Sequence, residues 1–206
     1  MAKTRTNTKT DAGDLAALIS RAQADRNAGK DGLPPVERWN PPYCGDIDME
    51  IRADGTWFYM GTPIGRPALV RLFSTVLRRD DDDKTYLVTP VEKIGIRVVD
   101  APFLAVEMTV SEEDGGQVLT FRTNVGDVVR AGPDNPLRFV VTGKTDQLKP
   151  YLLVRGRLEA LVNRAVTYDL LALGEAVEID GEAMYAIRSG GAVFPVLPMT
   201  RLEADA

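Results

Sequence analysis

Ile47-Asp48-Met49-Glu50-Ile51-Arg52-Ala53-Asp54-Gly55-Thr56-Trp57-Phe58-Tyr59-Met60 is the stretch that decides the fold class. Ile47, Met49 and Ile51 alternate with Asp46, Asp48, Glu50 and Arg52, the period of a half-buried strand. Asp54-Gly55 is a two-residue turn signal, because glycine takes the positive φ of a hairpin turn. Thr56 to Met60 is the return strand, with Trp57 and Tyr59 on one face and Phe58 on the other. The body of the protein therefore begins as an antiparallel hairpin.

Gly61-Thr62-Pro63-Ile64-Gly65 breaks the strand, and Pro67 opens a helix at its first-turn position. Leu69, Leu72, Phe73 and Val76 form its apolar face, and burial of each contributes roughly 1.5–3 kcal/mol. Arg71, Arg78 and Arg79 are expected on its other faces. Asp80-Asp81-Asp82-Asp83-Lys84 reads as a solvated loop. Alternating apolar runs then predict strands over 85–89, 91–99, 103–110, 118–124, 127–130 and 137–142.

Upstream, residues 1–10 alternate threonine with Lys3, Arg5, Asn7 and Lys9 and have nothing to bury, so a mobile tail is expected. Leu15, Leu18, Ile19 and Ala22 predict a short helix over 14–26, ended by Gly29, Gly32 and Pro34-Pro35. Trp39-Asn40-Pro41-Pro42-Tyr43-Cys44-Gly45 reads as an extended strap laid on the body. Downstream, a second unit starts: a strand over 151–155, a break at Gly156, a helix over Leu158 to Leu171, and strands over 177–180, 183–188 and 193–197. In both units a strand runs through Gly-Arg (Gly65-Arg66, Gly156-Arg157) into a helix and a meander. This predicts an α+β protein of two subdomains, each a small, mostly antiparallel sheet packed with one helix, related by internal duplication. The expected division is a tail and short helix (1–33), a first subdomain (34–142), a second, smaller one (143–198) and a flexible C-terminus (199–206).

The chain has 206 residues, with 44% hydrophobic and 27% charged, a globular composition. It has no histidine, which excludes a histidine triad, base or zinc ligand within the chain. One cysteine, Cys44, permits no internal disulfide and reads as a small buried residue. The net charge is −5, so generic nucleic-acid binding is not expected. No apolar run reaches the ~18 residues of a membrane span, and no targeting segment is legible, so the expected compartment is the cytoplasm.

Cys44-Gly45-Asp46-Ile47-Asp48-Met49, Asp54-Gly55-Thr56-Trp57, Gly61-Thr62-Pro63-Ile64, Leu69-Val70-Arg71-Leu72-Phe73-Ser74, Tyr86-Leu87-Val88-Thr89-Pro90-Val91-Glu92-Lys93, Phe121-Arg122-Thr123-Asn124 and Pro136-Leu137-Arg138 carry a family resemblance. Over about residues 34–198, the segmented body, the chain resembles the proteobacterial family called domain of unknown function 1285. The resemblance implies a two-part α+β fold with repeated motifs and suggests ligand sensing or signalling. It implies no catalytic residue.

The residues themselves point to binding more than to catalysis. Arg66 enters a helix N-terminus, where free N–H groups favour an anion. Arg122, Arg71 and Arg97 can add charge, and Arg157 is expected to occupy the equivalent place in the second unit. The alternative is that these arginines pair with Asp46, Asp48, Glu92 or Glu107. Trp39, Tyr43, Trp57 and Tyr59 read as an aromatic face, either covered by the strap or open as a groove. The candidate ligand residues are thus Trp39, Tyr43, Trp57, Tyr59, Arg66 and Arg122. Asp46, Asp48 and Glu50 lie along one strand face and are not expected to hold a metal. No cofactor is expected. The readings carried forward are a small-ligand-binding or regulatory protein, an interaction module using an aromatic face or sheet edge, and an enzyme using Asp46, Asp48, Glu92 or Lys93.

Overall fold

The protein is described from a computed structural model, which covers residue 17 and residues 32–142 and 147–204. The tail predicted over 1–10 lies outside these residues. Of the helix predicted over 14–26 only Ala17 is described, and it is helical. The chain forms two compact units. One holds the chain up to Glu50 and Trp57–Arg97, and the other holds Ile51–Thr56 and Val98 onward.

The first unit is built on one six-stranded sheet. Its strands are β1 (Tyr43–Ile51), β2 (Trp57–Tyr59), β3 (Thr62–Pro63), β4 (Leu77–Arg79), β5 (Thr85–Val88) and β6 (Lys93–Val98), with helix α1 (Pro67–Ser74) between β3 and β4. The sheet order is β3-β2-β1-β6-β5-β4. Met49, Trp57, Phe73, Val76, Leu77, Leu87 and Val88 are buried. Phe73 of α1 stacks on Trp57 at 6.3 Å between ring centroids, and this pair is the anchor of the helix. Alternation in β1 is as the sequence predicts, with Met49 buried and Asp46 and Asp48 exposed. The hairpin tip is a three-residue loop, not two. Gly55 N–H donates to Arg52 O, Arg52 N–H donates to Thr56 O, and Gly55 sits at φ 79°. This is a type I turn closed by a left-handed glycine, which leaves Asp54 free to accept from Thr56 N–H.

The expected strap is shorter than predicted. Only a 3₁₀ turn (Val36–Arg38) and Trp39 to Pro42 lie outside the sheet, and Tyr43, Cys44 and Gly45 are already in β1. Cys44 is exposed rather than buried, because it falls on the strand's outward side.

The second unit has two sheets. One has the order β10-β11-β12-β7-β8-β9, with β7 (Phe103–Glu113), β8 (Gly116–Thr123), β9 (Val128–Arg130), β10 (Leu137–Thr142), β11 (Gln147–Arg155) and β12 (Leu158–Val162). The other is β13-β14-β15, formed by Glu175–Ile179, Glu182–Ser189 and Ala192–Pro198. Helix α2 (Arg164–Leu171) leads into β13, and a short α3 (Met199–Ala204) stands where a flexible C-terminus was expected. β10 and β11 pair from Leu137↔Leu152 to Thr142↔Gln147, so the expected boundary at 142/143 falls inside a hairpin.

Two further sequence expectations are corrected here. Leu158 to Val162 is a strand, not the first half of a helix. It pairs in parallel with β7, Ala160 opposite Phe103, and buries Leu158, Ala160 and Val162. Those apolar positions satisfy both periods, and tertiary pairing decides between them. Consequently Gly156-Arg157 turns β11 into β12 and does not precede a helix as Gly65-Arg66 does. The order hairpin, helix, three-strand meander does occur twice. In the first unit the meander joins the main sheet through β6, and in the second it forms a sheet of its own.

Candidate functional site

Five of the six sequence-predicted ligand residues fall in the first unit, and the four aromatic ones differ from Arg66 in place and role. Trp57 is buried against Phe73 and is core. Tyr43 packs edge-on against Tyr86 and donates to Asp46 Oδ1 at 2.8 Å. Met60 N–H donates to Asp48 O, which puts Trp57 near the turn and Tyr43 toward the far end of β1. Some eight residues of strand, about 27 Å, separate them. Trp39 and Tyr59 are half-buried. The structure therefore assembles no common aromatic face from Tyr43 and Trp57. Arg122 lies in the second unit, where Glu107 directly opposite on β7 holds it in a two-pronged ion pair. That pair holds the Glu107 carboxyl below its ordinary range.

Ion pairing elsewhere follows the same economy. Arg97 pairs with Glu50, Arg138 with Glu159, Arg155 with Asp127 and Arg188 with Glu175. Arg78 and Arg79 do not lie on the helix. They are in β4, and Arg78 is buried. Its guanidinium donates to Asp80 Oδ1 at 2.6 Å and to the carbonyls of Val36 and Trp39 at 2.8 and 2.7 Å. Lys93 Nζ reaches the same carboxylate at 2.8 Å and lies 4.5 Å from the Tyr86 ring centre. Burial pushes Asp80 up, and its bonds to Arg78 and Lys93 more than reverse this, so it titrates below the ordinary range. Asp82 accepts from Tyr86 OH at 2.6 Å, and this bond, then burial, raises Tyr86 to about 12. The Asp80–Asp83 stretch is thus half anchor and half loop.

The second unit holds a matching cluster that sequence reasoning missed. Asp100 accepts from Lys149 Nζ and from Tyr151 OH, each at 2.7 Å, and Arg138 lies 4.5 Å from the Tyr151 ring centre. Burial first, then the Asp100 bond, pushes Tyr151 far up, while Lys149 and Tyr151 hold Asp100 down against its own burial. Lys149 and Tyr151 were visible as residues, but nothing in the sequence joins them to a carboxylate about fifty positions away.

Against this background the start of α1 differs. Arg66 is its N-cap residue, exposed, with no side-chain cap on the helix and no acid in the first turn. Among the described residues, Arg38, Arg66 and Arg71 have no side-chain partner, and all three are in the first unit. Residues 55–79 contain four arginines and no aspartate or glutamate, in a chain of net charge −5. From Met60 to Ala68 only Ile64 is partly covered. Pro67 at the first helical position removes one N–H, so the site offers one guanidinium and part of a helix end.

Some of the motifs behind the family resemblance lie in strands and in α1, and others close turns. Thr89 Oγ1 accepts from Val91 and Glu92 N–H and closes the β5–β6 turn. Asn124 Oδ1 accepts from Leu104 N–H at 3.0 Å, and its amide donates to Gly55 O. Comparison with known proteins bears on the resemblance itself. The N-terminal domain of the family described as "Domain of unknown function (DUF1285)" matches residues 34–101, and its C-terminal domain matches residues 102–196. The chain belongs to the DUF1285 family. The matched boundary lies within a few residues of the division between the two compact units. A crystal structure of a DUF1285 family protein from Silicibacter pomeroyi is 49% identical, covers 90% of this chain and 97% of its own, and has a TM-score of 0.77. A DUF1285 family protein from Shewanella baltica is 27% identical over 60% of this chain and 90% of its own, with a TM-score of 0.48. No match is found among curated proteins. Among the described residues no helix is long and apolar enough to cross a membrane, and no group of three acidic or cysteine side chains is placed to hold a metal ion.

Proposed function

We propose that this DUF1285 protein is a non-catalytic cytoplasmic binding protein that takes a small anionic ligand at the start of α1 through Arg66. The observation that carries the reading is the exposed guanidinium, without a side-chain partner among the described residues, at an uncapped helix N-terminus, in an acidic chain that matches most of its other described arginines with carboxylates. A guanidinium bond to a charged ligand is worth roughly 1.5–3 kcal/mol, and the helix end adds about 0.3–1 kcal/mol.

Three facts weigh against the other readings. Shifts at the clusters run away from neutrality: Asp80, Asp82 and Asp100 are lowered, while Tyr86 and Tyr151 are raised. General acid–base chemistry needs groups moved toward neutrality instead. Lys93, one of the four residues through which the sequence leaves catalysis open, is held by Asp80. For edge docking in the first unit, terminal strand β3 includes Pro63, which has no N–H to give an added strand.

Native mass spectrometry of the protein purified from its own host tests the proposal. Wild type retains an anionic small molecule, and Arg66→Ala does not. Equal loading of the two proteins, or none on wild type, contradicts it.

A further inference from the structure

In the second unit, the tip between β14 and β15 is fastened to β8 by a side chain that enters the sheet. Opposed residues of an antiparallel ladder exchange both backbone hydrogen bonds at every second step. At the step of Leu119 and Ala131 only one of the two is made, Ala131 N–H donating to Leu119 O at 2.8 Å. The other is interrupted. Leu119 N–H donates to Ser189 Oγ at 2.8 Å, and the Ser189 hydroxyl donates to Ala131 O at 2.7 Å. Ser189 is 1% exposed, so its hydroxyl stands inside the ladder.

Further along β8, Gly190 N–H donates to Gln117 O at 2.9 Å, and Gln117 Nε2 donates to Arg188 O at 2.7 Å. Gly190 has φ 56°, and a Cβ on it would come within 2.8 Å of Ala131 O, so the insertion requires glycine there. Arg188, Gly190 and Gly191 are exposed, whereas Ile187 and Phe194 to either side are buried. The outer bonds of the tip are therefore replaced by water when it lifts, and the buried pair keeps the rest of both strands in place.

We propose that residues 188–192 form a releasable latch on β8: when Ser189 withdraws, Leu119 N–H passes directly to Ala131 O and the ladder closes behind it. The donor and acceptor that Ser189 separates can satisfy each other, so withdrawal leaves neither buried and unpaired, which is the usual cost of breaking an internal bond. The step thus has two satisfied arrangements, and the tip opens locally, without unfolding of the unit. Opening uncovers the Gln117 and Arg188 carbonyls at the surface and leaves β8 and β9 paired. The inference is independent of the Arg66 site.

Residue-resolved amide hydrogen exchange on the full chain tests it, with wild type, Ser189→Ala and Gln117→Ala. In wild type, Gly190 exchanges about tenfold or more faster than Leu119 once intrinsic rates are corrected for. Gly190 accelerates further in both variants, while Leu119 stays within about threefold of wild type. Phe121, paired with Val129 in the same ladder, reports that each variant is folded. In Ser189→Ala a scalar coupling appears across a Leu119 N–H to Ala131 O bond, with the Ala131 to Leu119 coupling as internal standard. One common rate for Gly190 and Leu119 in wild type overturns the proposal. So does a Ser189→Ala protein in which Leu119 accelerates together with Gly190, or in which the standard is seen and the new coupling is not. Gln117→Ala keeps the hydroxyl in place, so it and wild type decide the matter even where Ser189→Ala does not fold.

Discussion

The two principal helices begin in opposite ways. At α2, Asn163 Oδ1 accepts from Val166 N–H at 2.8 Å, and its amide donates back to Val106 O. At α1, Arg66 caps nothing and Pro67 merely suits the first turn. The N-terminus of α2 is sealed by its own side chain, whereas at α1 the cation has no side-chain partner among the described residues. The contrast extends to the cations around them. Arg78 is spent on Asp80 and on two carbonyls before the sheet, whereas Arg66, on the same unit, has no side-chain partner among the described residues.

The largest expected effect separates those two arginines. Arg78→Ala strands the Asp80 carboxylate, leaving only Lys93, and should cost about 2–4 kcal/mol in denaturant melts. Arg66→Ala should stay within about 0.5 kcal/mol of wild type. Comparable losses would erase the distinction. At the sealed helix, Asn163→Ala should cost about 1–2 kcal/mol, read the same way. Arg66→Asp sharpens the comparison, because it gives α1 the cap and the negative charge it lacks. It should raise stability by up to about 1 kcal/mol while abolishing anion binding. A drop instead would mean that Arg66 supports the fold.

The clusters give the pH prediction. Tyr86 and Tyr151 have folded-state values raised above the ordinary 10.0. Folded protein then binds protons that unfolded protein has released, so their contribution is full below about pH 10 and is lost as pH rises through the folded values. Spectrophotometric titration of the six tyrosines should show two that ionise only near or above pH 12, or on unfolding. Loss of the late step in Tyr151→Phe identifies one of them.

Short-range chemistry was the legible part. The β1–β2 hairpin, the helix opened by Pro67 and the strand over 137–142 follow from period and turn residues that lie within a few positions of each other. Leu158–Val162 was not legible, because its apolar residues suit a strand and a helix equally and the deciding partner, β7, lies more than fifty residues earlier. The Asp100–Tyr151 cluster was hidden for the same reason. Arg66 was legible as a candidate because its helix start is local. Its lack of a partner was not, since any distant carboxylate could have met it, as Glu107 meets Arg122.

The central claim is that the α1 N-terminus is a site kept open for an anion. Thermal melting of wild type and Arg66→Ala across a concentration series of inorganic phosphate and pyrophosphate tests it most directly, with sodium chloride matched for ionic strength. The account predicts a saturable rise in the wild-type melting temperature, a midpoint shifted at least tenfold in Arg66→Ala, and equal melting of the two proteins without anion. An Arg66→Ala protein that melts far below wild type without anion, while neither anion shifts wild type, would contradict it.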